Sequence, residues 1–194
     1  MSEEAGNILF SGVGGQGILL ASEITVYGLL AMGLDAKKSE VHGMAQRGGS
    51  VVANLRYGKK VYSPLIDPGQ ADIVVSFEVM EAVRYLPYMH KDTKVVVNSH
   101  KIAPPAVATG QVPYPDDILD ELAKQNIATF PVDGFAIARE VGEIRAANLA
   151  LVGALSTFLP IPEDLFLGVL KEKLPRSLDE NIAAFKKGRA ATAA

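Results

Sequence analysis

The sequence predicts an α/β protein with a Rossmann-like, mostly parallel sheet flanked by helices, and with a helical C-terminal part. A glycine-rich turn separates a short apolar run, residues 8–10, from an apolar segment of about four helical turns. Two further runs, residues 71–78 and 94–98, are rich in consecutive apolar residues, as strands covered on both faces are. A helical pattern at residues 79–88 separates them, and such alternation indicates a parallel sheet.

The glycine-rich turn directly follows the first predicted strand. Gly12, Gly14 and Gly17 have the G-x-G-x-x-G spacing, and Gly15 lies between them. In this pattern the first glycine makes the turn, the second lets backbone or a ligand approach, and the third lets the helix pack against the sheet. Free N–H groups at the helix start can bind an anion such as phosphate. The four glycines are candidate cofactor-binding residues, although a purely structural turn has the same spacing.

A dinucleotide site also needs an acidic residue about 20 residues after the turn, where it binds a ribose hydroxyl. In this chain that region carries Lys37 and Lys38, with Asp35 and Glu40 on either side. The fingerprint is therefore incomplete, and we expect this chain alone to bind no cofactor. An independent NAD- or FAD-binding oxidoreductase is the alternative interpretation.

A glycine-flanked polar loop is predicted after a short second strand at residues 36–39. Ligands of open α/β sheets bind at the carboxyl ends of strands, so this loop is a candidate substrate site or subunit interface. Its candidate residues are Glu40, His42, Gln46, Arg47, Gly48 and Gly49. Residues 51–57 then alternate as a strand does, and we expect residues 61–63 to form a hairpin or an edge strand beside them.

The second half of the chain is predicted to be mainly helical. Residues 100–115 contain four prolines, and irregular segments of that length are often functional or packed on a partner. Asn148 is a lone amide in a helix that is apolar nearly all round, which predicts a buried or interfacial helix. Its side chain needs a partner, and either caps a nearby backbone turn or contacts a ligand. The expected elements after residue 115 are a helix at 116–124, a strand at 127–132, a helix that Asp133 caps, and helices at 143–158, 162–173 and 177–187.

Composition excludes several classes of function. The 194 residues are predicted to form one domain, residues 1–194, and 48% hydrophobic and 21% charged residues with a net charge of -3 indicate no nucleic-acid partner. The chain has no cysteine and so no thiolate ligands for iron–sulfur clusters, and its three histidines lack metal-ligand spacing. The longest apolar stretch is shorter than the ~20 residues that span a bilayer, and no secretory signal is evident. We therefore expect no membrane partner and a cytoplasmic protein.

Several motifs resemble the beta subunit of indolepyruvate:ferredoxin oxidoreductase. They are G-V-G-G-Q-G at residues 12–17, S-E-V-H-G-M-A-Q-R-G-G-S-V at residues 39–51 and A-D-I-V-V-S-F-E-V-M-E-A-V-R-Y-L at residues 71–86. The proline-rich residues 98–115 and the ending N-I-A-A-F-K-K-G also fit, so the resemblance covers almost the whole chain. The first motif is shared by gamma subunits and domains of all 2-oxoacid:ferredoxin oxidoreductases, whereas the later motifs are typical of the arylpyruvate branch.

This resemblance implies an α/β subunit that works inside a complex. In that family a partner alpha subunit carries thiamine diphosphate and iron–sulfur clusters, and the assembly decarboxylates a 2-oxoacid, reduces ferredoxin and forms an acyl-CoA. No thiamine diphosphate motif is present in this chain, so it would shape the site and hold the partner. The subunit would be inactive alone, and a pyruvate or branched-chain 2-oxoacid is the alternative substrate.

The resemblance also implies a contact with coenzyme A. In related pyruvate enzymes the gamma domain covers the active site and contacts coenzyme A through a basic loop residue before paired glycines and through a helical asparagine. Arg47 and Asn148 match these positions, although this loop reads Q-R-G-G where those enzymes show K-S-G-G. Arg47 offers a fork of donors suited to phosphate, and Asn148 offers a donor and an acceptor to an amide.

Overall fold

A six-stranded sheet with the strand order β2-β3-β1-β4-β5-β6 forms the centre of the protein. The structure is a computed structural model that describes residues 5–42, 49–103, 107, 109–111, 113–115 and 117–193, without the side chain of residue 42. The strands are β1 (Gly6–Val13), β2 (Asp35–His42), β3 (Ser50–Gly58), β4 (Ala71–Ser76), β5 (Met89–Asn98) and β6 (Ala128–Val132).

Helices cover both faces of this sheet. They are α1 (Ile18–Ala31), α2 (Val79–Arg84), α3 (Ile118–Lys124), α4 (Gly134–Val141), α5 (Ala147–Ser156), α6 (Glu163–Lys173) and α7 (Leu178–Thr192), with 3₁₀ turns at Leu86–Tyr88 and Ile144–Ala146. One apolar core joins α1, α5, α6 and α7 to one face, and a second joins α2 and α3 to the other. The predicted α/β class with a helical C-terminal part is confirmed.

The burial pattern of β1 shows why helices cover both faces of the sheet. Ile8 and Phe10 are fully buried in the core beneath α1, and Leu9 between them is fully buried in the core beneath α2. Successive side chains of a strand point to opposite faces, so a run of apolar residues without alternation requires cover on both sides. The consecutive valines of β4 and β5 have the same distribution between the two cores.

The sheet departs from a Rossmann fold on one side of β1. The pairs β1–β4, β4–β5 and β5–β6 are parallel, whereas β3 is antiparallel to both β1 and β2. Residues 43–49 connect β2 to β3, and a parallel connection would need a crossover of a dozen or more residues. The predicted pairing of the third strand with residues 61–63 is wrong, because those residues lie outside the sheet and β2 is the partner.

The apolar helix predicted at residues 143–158 is a central element of the core. All ten residues of α5 are buried, and α5 packs against α7. Gly153 and Gly188 allow this contact, because an added Cβ at Gly188 would lie 1.8 Å from the Ala150 carbonyl oxygen. The protein's own helices therefore cover this apolar surface. None of the described helices is long and apolar enough to cross a membrane.

Candidate functional site at the carboxyl edge of the sheet

The glycine turn lies where β1 ends, at the same edge as the end of β2 and the start of β3. Val13 pairs with Ser50, and His42 pairs with Val51. The Gly14 N–H donates to the Gly49 carbonyl at 2.9 Å, which joins the two glycine-containing segments. The end of β2 and the start of β3 therefore lie at this edge, and the predicted polar loop between them, residues 43–48, lies outside the described residues.

Two of the four glycines in the turn are required by packing. An ideal Cβ at Gly12 would lie 2.7 Å from the Phe77 Cβ, and one at Gly17 would lie 2.4 Å from the Asn148 Nδ2. Gly12 still belongs to β1, so the predicted role of making the turn passes to Gly14 and Gly15. Gly17 approaches Asn148 of α5, which differs from the expected contact with the sheet.

Gly15 is the open position of the turn. Its φ of 104° lies in a region that side-chain-bearing residues rarely adopt, and no atom lies within 4 Å of an ideal Cβ there. The next helix, α1, begins at Ile18, and its N-cap residue, Gly17, provides no side-chain hydrogen bond. The first N–H groups of a helix have no partner inside it and carry the positive end of its dipole. The first turn of α1 therefore follows an open position at Gly15, whereas the Gly14 and Gln16 N–H groups already donate to the Gly49 and Val13 carbonyls.

Gln16 is a structural residue of the turn that is absent from the residues predicted for the site. Its Oε1 accepts from the Val13 N–H at 2.7 Å, and its Nε2 donates to the Phe77 carbonyl at 2.7 Å. The amide thus links the end of β1 to the segment after β4, and it fixes the shape of the turn. Its place in the G-G-Q-G motif was the available signal.

Asn148 lies directly against the turn, as an amide that is only 5% exposed. Its Nδ2 donates to the Gly17 carbonyl at 3.5 Å, so part of its role is to hold the backbone at the start of α1. Its Oδ1 is buried and has no hydrogen-bond partner among the described residues. A buried acceptor without a donor is costly, and its presence marks a place where a ligand or water donor would stabilise the protein.

The predicted loop residues separate into three groups: residues of β2, a glycine at the sheet edge, and residues outside the described part of the chain. Glu40 lies within β2, where its carboxylate forms an ion pair with Lys38, and His42 is the last residue of that strand. The assignment of both residues to a loop is therefore wrong, because the strand extends to His42. Gly49 lies at the edge beside Gly14. The others are outside the described residues: the side chain of His42, and Gln46, Arg47 and Gly48.

Two buried carboxylates at the start of α2 anchor the segments around this edge. Glu81 accepts from the Ser50 hydroxyl at 2.6 Å. Glu78 caps α2 and also accepts from the Tyr114 hydroxyl and the Ile102 N–H. The described parts of the proline-rich segment are therefore tied to the same helix as the start of β3.

A cleft of about 490 Å³ opens on the α5 side of the glycine turn. Gly15, Gly17 and Asn148 line it, as do Arg145 and Arg176 from two other segments. Polar groups and arginines converge here on the open glycine turn, an arrangement that suits an anionic ligand.

A hydrogen bond across this cleft joins the two arginine-bearing segments. The Ser177 hydroxyl donates to Glu143 Oε2 at 3.0 Å, and the Arg145 N–H donates to Glu143 Oε1 at 3.0 Å. These two donors, the backbone N–H first and the hydroxyl second, lower the pKa of the Glu143 carboxyl from its ordinary value. Ser177 has a φ of 50°, a left-handed conformation that this bond helps to hold.

Comparison with known proteins identifies the family. The pyruvate ferredoxin/flavodoxin oxidoreductase family matches residues 7–191. The chain belongs to this family. It is 39% identical to the indolepyruvate oxidoreductase subunit IorB of Archaeoglobus fulgidus, over 94% of this chain and 92% of that subunit. It is 38% identical to the IorB subunit of Thermococcus kodakarensis, over 94% of this chain and 93% of that subunit.

Solved structures have the same fold. The pyruvate oxidoreductase subunit PORC of Thermotoga maritima has a TM-score of 0.74 at 19% identity, over 97% of both chains. A 2-oxoglutarate:ferredoxin oxidoreductase from Magnetococcus marinus has a TM-score of 0.77 at 21% identity, and 98% of this chain spans 31% of that longer chain. The resemblance to subunits of 2-oxoacid:ferredoxin oxidoreductases that the motifs indicated is therefore confirmed.

Proposed function

We propose that this chain is the beta subunit of an indolepyruvate:ferredoxin oxidoreductase. The complex would oxidatively decarboxylate aryl 2-oxoacids to acyl-CoA and reduce ferredoxin. The observation that carries this proposal is the identity of 35–39% to IorB subunits over 94–96% of the chain. The match to a 2-oxoglutarate synthase subunit is weaker, at 25% identity, which favours the aryl substrate.

The redox chemistry is assigned to a partner alpha subunit that carries thiamine diphosphate and iron–sulfur clusters. The absence of cysteine from this chain supports this division, because clusters of this kind use thiolate ligands. The chain would cover the active site in the partner and help to bind the coenzyme A that accepts the acyl group. In this proposal the chain has no catalytic residues of its own.

The topology argues against an independent NAD- or FAD-dependent enzyme. In a Rossmann fold the second parallel strand lies beside the first and delivers an acidic residue to the ribose. Here the antiparallel β3 occupies that place beside β1, and β2 lies one strand further away. The glycine turn is therefore available to a different ligand, and its neighbours are Gly49 and Asn148.

The test of this assignment is co-expression with an alpha subunit from the same organism. We expect a complex that reduces ferredoxin with indolepyruvate or phenylpyruvate and coenzyme A, whereas this chain alone is inactive. Pyruvate, a branched-chain 2-oxoacid and 2-oxoglutarate serve as competing substrates. Faster turnover of one of these would replace the aryl assignment, and activity of the isolated chain with NAD would overturn the accessory role.

We also propose that Asn148 and Arg47 contact coenzyme A across the glycine turn. Asn148 supports this, because it lies against Gly17 and holds a buried acceptor without a described donor. Asn148→Ala in the complex should raise the KM for coenzyme A roughly twofold to tenfold, since a neutral hydrogen bond contributes about 0.5–1.5 kcal/mol. Arg47→Ala should raise it roughly tenfold to a hundredfold, because its bond to phosphate is charge-assisted.

The control for both variants is the half-reaction without coenzyme A. Reduction of the thiamine site by the 2-oxoacid should change much less than the coenzyme A dependence. An unchanged KM together with loss of the complex would show that the two residues are interface elements.

A further inference from the structure

A second groove, of about 830 Å³, lies at the opposite edge of the sheet from the glycine turn. The first residues of β1, the last residues of β3 and residues 59–63 line it. The eight residues of β1 separate the groove from the glycine turn, and a rise of about 3.3 Å per residue places them roughly 25 Å apart. A molecule in this groove therefore leaves the carboxyl edge of the sheet free.

The groove is basic, although the whole chain has a formal charge of -3. Its lining carries the cations Arg56, Lys59 and Lys60 and one carboxylate, Asp72, a formal charge of +2. Asp72 already accepts from a backbone N–H at 2.7 Å and lies 3.6 Å from His90 Nε2. The cations of the groove therefore outnumber the carboxylates that could neutralise them.

These cations have few carboxylate partners. Within the part of the chain that the structure describes, neither Arg56 nor Lys59 has a carboxylate oxygen within the 4.0 Å of an ion pair. Lys60 lies 3.8 Å from Asp35, but Asp35 is shared with Lys37, which is closer at 3.1 Å. Both groove lysines are exposed, so their charges are available to an acidic partner.

Arg56 also holds the segment that follows β3. Its Nε donates to Asn7 Oδ1 at 2.9 Å. One of its Nη atoms lies 3.4 Å from the Ser63 carbonyl oxygen and 3.5 Å from that of Leu65. All of these acceptors are neutral, so Arg56 fixes the shape of the segment and keeps its own positive charge.

This segment exposes two large apolar side chains. Val61 and Ile66 are buried at its two ends, whereas Tyr62 between them is 88% exposed and Leu65 is 57% exposed. Binding residues are often carried by loops that a rigid scaffold positions, and tyrosine and arginine are enriched at protein interfaces. The segment therefore has the character of a surface that binds another protein.

We infer that the groove, with Tyr62 and Leu65, is a docking surface for an acidic face of the electron acceptor, ferredoxin, and this inference rests on the proposed function. Permanent subunit interfaces are large and mainly apolar, whereas transient redox partners meet over small areas and are guided by charge. Two exposed apolar side chains among three cations fit the transient kind.

The role of the acceptor agrees with such a contact. Ferredoxin has to bind and leave in each turnover, so a weak contact that charge guides suits it better than a tight one. The clusters of the alpha subunit would deliver the electrons, and this chain would hold the acceptor beside them. Coenzyme A at the carboxyl edge and ferredoxin at the groove could then be bound together.

The experiment measures the KM for ferredoxin in the assembled complex with Lys59→Glu, Lys60→Glu and the double variant. At low ionic strength we expect each charge reversal to raise the KM about threefold and the double variant to raise it about tenfold, because exposed ion pairs are individually weak. At about 1 M salt, where the screening length is ~3 Å, this difference should shrink. Tyr62→Ala should raise the KM at both salt concentrations, because its contribution is mainly apolar.

Two measurements separate docking from other effects. Binding of oxidised ferredoxin to the complex, measured by biolayer interferometry, should weaken in parallel with the rise in KM. Methyl viologen is a small acceptor that needs no protein docking surface, so all variants should reduce it at the unmodified rate. The KM for coenzyme A should also stay unchanged.

The matched control is the double variant Lys171→Glu and Lys186→Glu. It makes the same change in net charge at exposed lysines of α6 and α7 that do not line the groove. This control should leave the KM for ferredoxin unchanged. An equal rise in the control would show an effect of net charge alone and would overturn the inference.

The remaining outcomes distinguish this inference from the proposed function. An unchanged KM for ferredoxin in the groove variants, with methyl viologen reduction intact, would overturn the inference and leave the proposed function standing. Dissociation of the complex by the groove variants would place the alpha subunit on this surface, and would also overturn it. If the unmodified complex reduces neither acceptor with any 2-oxoacid, the proposed function fails, and the inference fails with it.

Discussion

Two regions of the protein depend on glycine, and they use it for opposite purposes. Where α5 crosses α7, an added Cβ at Gly153 would lie 1.9 Å from the Phe185 carbonyl oxygen, and one at Gly188 would lie 1.8 Å from that of Ala150. At the glycine turn, an added Cβ at Gly15 would meet no atom within 4 Å. The first region is closed by backbone on both sides, and the second is open.

The difference separates the part of the chain that holds the fold from the part that can hold a ligand. Backbone atoms cannot move aside as the end of a side chain can, so the helix crossing admits no alternative packing. The open turn costs only the backbone conformation of Gly15, and it leaves N–H groups and space at the carboxyl edge of the sheet. Gly17 is intermediate, because its close neighbour is the Asn148 side chain.

The closed contact should be the more sensitive of the two. Gly188→Ala inserts a methyl group against the Ala150 backbone, and we expect a loss of about 3 kcal/mol in the free energy of unfolding. For a chain of this length that corresponds to a fall in Tm of about 6–12 °C. Guanidinium unfolding and a thermal melt of the purified chain measure both.

Gly168→Ala is the control for this substitution. Gly168 is an exposed residue of α6 with no atom within 4 Å of an ideal Cβ, so alanine should stabilise the protein by about 0.5–1 kcal/mol through helix propensity. The two variants should thus shift Tm in opposite directions. Equal Tm values for Gly188→Ala and the unmodified protein would show that α5 and α7 can separate, which contradicts a closed contact.

The open turn should tolerate a methyl group better than the helix crossing does. Gly15→Ala meets no neighbour, and its cost is the left-handed backbone, about 1–2 kcal/mol. The loss of stability in guanidinium should therefore be smaller than that of Gly188→Ala. A loss as large as at Gly188 would mean that the turn is as tightly packed as the helix crossing.

The smallest effect concerns the bond that joins the two arginine-bearing segments. The Glu143 pKa is lowered in the folded protein, so its contribution to stability is present above its ordinary value of 4.5 and is lost as the pH falls through the lowered pKa. Glu143→Gln keeps an acceptor for Ser177 and removes this titration. We expect the stability of the unmodified protein to fall more steeply below pH 4.5 than that of the variant.

Urea unfolding midpoints from pH 3 to 6 measure this difference. Parallel curves for the two proteins would show that Glu143 is not held by these donors. Because the carboxyl lies at the surface of the cleft, the effect should be far smaller than that of either glycine substitution.

Local patterns were sufficient to predict most of the elements and part of the site. The unbroken apolar runs of β1, β4 and β5 predicted strands with helices on both faces. Asp133 was predicted to cap a helix, and its carboxylate accepts from the Ala136 N–H. The glycine turn and Asn148 were also identified, because spacing and a lone amide in an apolar helix are visible in the sequence. The contact of Asn148 with Gly17, which lies 131 residues away in sequence, was not visible.

The sequence by itself determined most of the strands and helices in their order along the chain, the family, and the absence of thiolate ligands. Periodicity and motifs are properties of short segments, and composition can be counted directly. The tertiary structure alone decided that β3 lies beside β1, that α5 is buried by α7, and that Glu40 belongs to a strand. It also brought Arg145 and Arg176 to one cleft. These features depend on contacts between distant segments, whose free energy comes from packing and is not encoded in any local pattern.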